Sequence, residues 1–274
     1  MAQTVYFQEK RTHRSSGKKS KSFLIIFLVL IVLGGLSYLI IFSPVFKIKE
    51  IKISGAEQFN EIELISQLKD FAKSQSGFSK FLGPDNILSW INDLGDFNKN
   101  YPVFEKIIIK KFLFRRIIEI NVKEREKFGI WCLMAQTDTE ITQSVCWWFD
   151  KTGFIFSEAP FSEGSLVRKM NDYSKRTLKV GDLVLPDNLF QNFLKIYAVL
   201  DKIGLKTNNL SLENIDWQEI ILEPANNTPK IYFSLRFDPI SLISAVDSLK
   251  QDPGFNKLLY IDLRTENRVY YKLK

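Results

Sequence analysis

Phe23–Phe42 reads FLIIFLVLIVLGGLSYLIIF, a run of twenty residues without a charge. As an α-helix it is about 30 Å long, the thickness of the hydrocarbon core of a bilayer. A helix of that length inside a soluble core would show a polar stripe; this one shows none and reads as a membrane span. The apolar region of a cleaved signal peptide is shorter, about 7–15 residues, and runs into small residues. Here the run continues into Ile41-Phe42-Ser43-Pro44-Val45, which favours an anchor.

The flanks set an expected orientation. Ahead of the span lie Lys10, Arg11, Arg14, Lys18, Lys19 and Lys21 against one acid, Glu9, a net of +5 out of the chain's +7. The positive-inside rule then puts a basic tail, residues 1–22, in the cytoplasm and everything beyond Phe42 outside. Orientation and anionic headgroups account for the tail, so no nucleic-acid partner is expected. Its Ser, Lys and Arg content reads as disordered. The remainder, in a chain that is 45% apolar with 23 Phe, can build one large or two modest cores.

Downstream of the span, Glu50–Ser54 has the phase of a strand with Ile51 and Ile53 inward; Phe46 and Ile48 have the opposite parity, which predicts a bulge or a strand start near Lys49-Glu50. Leu64, Ile65, Leu68, Phe71 and Ala72 predict an amphipathic helix over about 60–73. A Ser/Gly-rich break over 73–84 follows. A second helix, capped by Asp85 with Ile87, Leu88, Ile91 and Leu94 as its stripe, is expected next. VFEKIIIKKFLFRRIIEINVKE, residues 103–124, reads as two strands, with Ile118, Ile120 and Val122 inward. Residues 46–125 thus read as βααββ, and the fold class as α+β.

A second, β-rich unit spans 126–274. FGIWCLM and VCWWF read as strands, DKTG as a turn and FIF as a short strand. Residues 178–186 read as irregular and extended. Asp187 is expected to cap a helix to about Ile203, stopped by Gly204. Strands are expected around Leu212–Trp217, Glu219–Leu222 and Lys230–Phe237. Asp238-Pro239 opens a helix with Leu242, Ile243, Val246 and Leu249 inward. LLYIDLRTENRVYYKLK, residues 258–274, reads as a hairpin. Leu259, Ile261 and Leu263 alternate with Tyr260, Asp262 and Arg264, and Val269, Tyr271 and Leu273 with Arg268, Tyr270 and Lys272. Such a pair either closes a sheet or presents an edge to a partner.

Cys132 and Cys146 are the only cysteines. Facing strands can place them at disulfide distance, and oxidation suits an extracytoplasmic domain; the alternative is two buried thiols at misaligned positions. For catalysis the sequence offers little. The single histidine, His13, lies in the basic tail, which excludes a His triad or His-bound zinc in the outer part. No glycine-rich phosphate loop is present. Ser66-Gln67-Leu68-Lys69 and Lys151-Thr152-Gly153 match two elements of the penicillin-binding serine enzymes, but the S-D-N element is missing. Neither an enzymatic activity nor a cofactor or metal is expected.

Taken in order, IKEIKISG, EINVKERE, WWFDKTGFIF and IYFSLRFDPISLISAVDSLK followed by LLYIDLRTENRVYYK resemble the bacterial cell-division family FtsQ, called DivIB in Gram-positive bacteria. The likeness covers nearly the whole chain. It implies a POTRA domain over 46–125 and the family's β domain over 126–274. It also implies a single-pass, septum-localised scaffold that binds FtsB-like and FtsL-like partners and acts through them on septal peptidoglycan synthesis. In this family a partner segment adds as a strand to the C-terminal edge. The matching positions here are Tyr260, Asp262, Arg264, Arg268, Val269, Tyr270, Tyr271 and Lys272. KFLFRR stands where the family usually has a proline turn. A membrane-anchored POTRA factor for envelope transport or assembly is the alternative.

Overall fold

A computed structural model describes residues 18–57, 59–92, 95–134, 145–161, 167–205, 209–223 and 228–274. Most of the basic tail with His13, Leu94, and the loop segments 135–144 and 162–166 lie outside the described residues. The architecture is mixed α+β, with one apolar N-terminal helix and a β-rich body. Its described residues fall into two compact units. One runs up to Ser54 and adds Phe59–Asn92 and Ile109–Ile120; the other takes Gly55–Gln58, Asp93–Ile108 and Asn121–Lys274.

The apolar run forms α1, Lys18–Phe42. Its stretch Phe23–Phe42 is long and apolar enough to cross a membrane, and none of it is buried against protein. β1 follows at Glu50–Ser54. α2, Glu61–Ser74, is capped by Asn60, whose Oδ1 accepts the Ile62 N–H at 2.9 Å. Glu61 and Glu63 then sit at the positive end of the helix dipole, and Leu64, Leu68 and Ala72 are buried.

The segment after α2 differs from the expectation. The Ser/Gly-rich stretch holds a short helix, α3, Gly77–Leu82, started by the Ser76 side chain. The helix expected over 85–94 is only a 3-10 turn at Ile87–Ser89, capped by Asn86 rather than Asp85. Asp85 pairs instead with Lys69 at 2.8 Å. Side-chain bonds explain the change: Trp90 Nε1 donates to Pro84 O and Ser89 Oγ to Gly83 O. They fold residues 89–90 back on 83–84 and bury Trp90, which a continuous helix could not do. Ile91, assigned to a buried stripe, is exposed.

After α4, Gly95–Asn100, come β2, Phe104–Phe112, and β3, Ile117–Glu124. The three strands form a sheet in the order β1-β3-β2. Ile118, Ile120 and Val122 point inward as the alternation requires. Gly55 closes β1 at φ 84°, where a Cβ would lie 2.1 Å from the Val122 carbonyl oxygen; only glycine allows that approach.

The β-rich part consists of β4 (Gly129–Leu133), β5 (Val145–Phe149), β6 (Ile155–Ala159), β7 (Lys169–Asp172), α5 (Asp187–Lys202), β8 (Asn209–Leu212), β9 (Glu219–Leu222), β10 (Lys230–Ser234), α6 (Ile243–Gln251), β11 (Leu258–Thr265) and β12 (Arg268–Leu273). They make a nine-stranded mixed sheet in the order β12-β11-β10-β9-β8-β7-β4-β5-β6. β7 lies in the stretch 162–178, whose sequence carries no strand pattern and reads as a long loop. It pairs in parallel with both β4 and β8, and its four residues are too few for alternation to signal a strand. The strand expected at Leu212–Trp217 ends at Leu212 and gives way to a 3-10 turn at Ile215–Trp217.

One core dominates this unit. Phe190, Phe193 and Tyr197 of α5 meet Trp131 and Phe149 of the sheet, with Trp131–Phe193 ring centres 5.6 Å apart. Pro186, not Asp187, holds the cap position of α5, and no side chain caps it; Asp187 adds its charge to the first turn and accepts from Gln191 Nε2 at 3.1 Å. The DKTG turn is organised by Asp150, which is buried. Its carboxylate accepts from Thr152 N, Thr152 Oγ1 and Phe154 N and from Arg125 Nη1 at 2.6 Å. Gly153, at φ 81°, lies where a Cβ would press on the Phe190 ring.

Candidate partner interface

Strand pairing places β12 at one end of the nine-stranded sheet. Its inner side pairs antiparallel with β11, through Tyr260↔Lys272, Ile261↔Tyr271 and Asp262↔Tyr270. Both irregularities in this pairing put the extra residue in β11, so β12 is regular. The bulge at Leu258/Tyr260 corrects one expectation: Leu258 takes the inward position and Leu259 is exposed.

The regularity of β12 fixes where its backbone points. Lys274 N–H donates to Lys257 O at 2.9 Å, toward β11. N–H direction alternates along a strand, so Lys272, Tyr270 and Arg268 also aim at β11. Val269, Tyr271 and Leu273 aim their N–H and C=O away from the sheet. Among the described residues no strand pairs with that outer side.

The two faces of the edge differ. Val269 packs on the main core; Tyr271 and Leu273 share its face, overhanging the core at 56% and 57% exposure. The opposite face is polar and cross-linked. Arg264 grips Asp262 through Nε (2.9 Å) and Nη2 (2.6 Å) and reaches Glu219 of β9 through Nη1 at 2.9 Å. Its guanidinium lies over the Tyr232 ring, which meets Tyr260 edge-on at 6.0 Å. The Arg264 hydrogen bond holds the Asp262 carboxyl below its ordinary value, and the Asp262 bond raises Arg264. Arg268 and Lys272 extend this face as exposed cations.

All eight residues assigned to the edge therefore lie on β11 and β12. Leu273, Leu259, Tyr232 and Glu219 were missing from that set. Leu273 was visible in the alternation of β12, whereas Glu219 and Tyr232 enter through pairing of distant strands that leaves no local signal.

Cys132 and Cys146 are opposite one another across β4 and β5 and are disulfide-bonded. Both are buried, with Ile130 and Met134, in a small cluster separate from the main core that holds Trp131. The catalytic fragments have ordinary duties: Lys69 pairs with Asp85, Thr152 serves the Asp150 turn and Lys151 pairs with Glu126. Among the described residues no group of three or more potential metal ligands occurs. Comparison with known proteins finds no matching family model and no matching curated protein.

Proposed function

We propose that this protein is a non-enzymatic, membrane-anchored scaffold of bacterial cell division of the FtsQ/DivIB kind. In this reading residues 46–125 form a POTRA-like domain and 126–274 the β domain, both outside the cytoplasmic membrane. FtsB-like and FtsL-like single-span proteins dock there and couple the scaffold to septal peptidoglycan synthesis. One observation carries the reading: β12 ends the large sheet with its outer backbone groups unpaired by any described strand and with exposed Tyr271 and Leu273 beside them. A partner strand added there satisfies both the backbone and the apolar overhang. The chain order β1-α2-α3-α4-β2-β3, three strands with helices between the first and second, supports the POTRA-like assignment.

The test has three parts. A fluorescent fusion of the full chain is expected at midcell; uniform envelope fluorescence counts against a division role. Cross-linked membranes are expected to yield FtsB-like and FtsL-like proteins, whereas recovery of an outer-membrane barrel or a secretion substrate selects envelope transport or assembly. Single cysteines at Ser16 and Asn188, with the Cys132–Cys146 bridge intact, are expected to label only at Asn188 with an impermeant maleimide on spheroplasts. The reverse pattern inverts the topology and removes the proposal.

A further inference from the structure

The hairpin joining β2 to β3 carries a surface that the partner edge does not use. Its tip, Phe112-Leu113-Phe114-Arg115-Arg116, exposes three consecutive large apolar side chains, with Phe114 fully exposed. Lys110 and Lys111 stand before them and Arg115 and Arg116 after, and no acid occurs between Lys106 and Ile118; Lys110 and Arg115 are exposed, whereas Lys111 donates to Trp90 O at 2.7 Å. A water-facing turn has no use for a Phe-Leu-Phe tip; a cationic collar around an apolar wedge is the composition of a membrane-surface element.

Hydrogen bonds fix where this tip lies. Arg116, in the left-handed region at φ 58°, binds the chain just after the apolar helix twice. Its Nη1 donates to Pro44 O at 2.8 Å and its carbonyl accepts from Lys49 N–H at 2.8 Å. Leu113, Phe114 and Arg116 line a mostly apolar pocket of about 490 Å³ together with Pro44, Val45 and Phe46. A second loop is tied to the same level, because Asn86 Nδ2 donates to Ile40 O in the last turn of α1 at 3.0 Å. Just before it, α3 presents Phe78 and Phe81, one helical turn apart and both exposed, with Lys80 between them. All these groups belong to one compact unit.

We propose that the β2–β3 tip, supported by α3, seats on the leaflet from which α1 emerges, with Phe112, Leu113 and Phe114 at the headgroup–acyl boundary and Lys110 and Arg115 at anionic phospholipid phosphates. The inference rests on Phe23–Phe42 spanning the membrane. Two features select a lipid surface as the occupant. The tip is bonded within four residues of Phe42, where the hydrocarbon core ends, and its charge is uniformly positive against an anionic surface. Docking fixes the tilt of this unit on its anchor, which a single flexible span cannot do.

The test uses the full chain in vesicles of phosphatidylethanolamine with phosphatidylglycerol as the minor component. An environment-sensitive dye is placed on Phe114→Cys; the native cysteines are bonded to each other and do not react. Nitroxide lipids labelled near the headgroup are expected to quench the dye, and iodide to quench it more weakly than the same dye free in water. In the same chain, K110E with R115E is expected to reverse both effects. A Phe114 dye open to iodide and untouched by nitroxide overturns the proposal. So does nitroxide quenching that survives the double charge reversal, which would mean that the dye had inserted by itself. A dye on Val29→Cys, mid-span, separates the two readings: quenched by deep nitroxides beside a silent Phe114, it leaves the span standing and removes only the docking. Val29 open to iodide removes both.

Discussion

Replacing Tyr271 by proline should leave the protein folded and abolish strand addition, whereas replacing its neighbour Tyr270 should unzip the edge itself. The difference lies in the backbone. Tyr271 N–H points away from β11, so proline removes a donor that no described strand uses; Tyr270 N–H points at β11, opposite Asp262. Losing an inward ladder bond leaves a partly buried carbonyl unpaired, at a cost of about 1–3 kcal/mol plus the clash of the ring. That is a large share of the roughly 5–15 kcal/mol that holds a domain together. Losing the outward donor costs the isolated fold little. It removes one backbone bond from the complex and puts a ring where the partner strand must lie, worth roughly tenfold to a hundredfold in Kd.

Side chains must be separated from backbone, so Tyr271→Ala is the matched control: it removes the exposed ring and keeps the N–H. Thermal unfolding by circular dichroism reads the fold, and titration with the purified FtsB-like protein of the same cell reads binding. Amide exchange tests the parity without any partner: Tyr270, Lys272 and Lys274 should be protected, while Val269, Tyr271 and Leu273 exchange at nearly open-chain rates. Protection of the second set in the isolated protein, or a folded Tyr271→Pro that binds like Tyr271→Ala, refutes the reasoning.

Four further outcomes are expected. Unfolded but unreduced protein should show no alkylatable thiol. C132A with C146A should lose about 3 kcal/mol, for a bridge across a sequence separation of 14, read as a fall in Tm of roughly 6–12 °C. Asp172→Ala should cost about 3–5 kcal/mol in urea unfolding, because the buried carboxylate accepts from Trp131 Nε1, Arg176 Nε and Ser174; Asp172→Asn, which keeps part of that pattern, should cost less. Since the folded Asp262 carboxyl sits below its ordinary value, its contribution is complete above the unfolded value, about 3.9, and is lost as pH falls through the lower folded one. The Asp262 contribution to stability in urea should therefore be flat from pH 8 to pH 5, and the Arg264 Nε–H resonance should move only in more acidic solution.

Long, regular patterns made much of this fold legible. The uncharged run of α1, the alternation of Ile118, Ile120 and Val122, and the phase of β1 are local facts that the structure repeats at the same residues. The misreadings share a cause. Around 85–94 the apolar spacing fits a helix, but Trp90 and Ser89 find carbonyl partners at Pro84 and Gly83, and these bonds set the backbone. β7 is held on both sides by strands distant in sequence, β4 and β8, so its identity resides in its neighbours. At the candidate site the residue types were legible and the parity was not. Side-chain alternation says which face is buried, while the direction of the N–H groups needed one bond, Lys274 to Lys257.

An edge that invites a partner strand also invites a second copy of itself, and β12 carries the means of refusing it. Antiparallel pairing of two copies centred on Tyr270 would bring Arg268 of one chain opposite Lys272 of the other, on the polar face where both are exposed. Like charges across paired strands are unfavourable, and lysine on an edge is a common guard against self-association. The apolar overhang of Tyr271 and Leu273 lies on the other face and would favour any partner, including a copy. In the proposed docking, selectivity would be divided between the faces: the core side would attract an extended apolar segment, and the polar side would disfavour strands of like charge. The Asp262–Arg264–Glu219 chain keeps the second function local, because Arg264 is neutralised within β9 and β11 and leaves Arg268 and Lys272 as the cations an incoming strand meets.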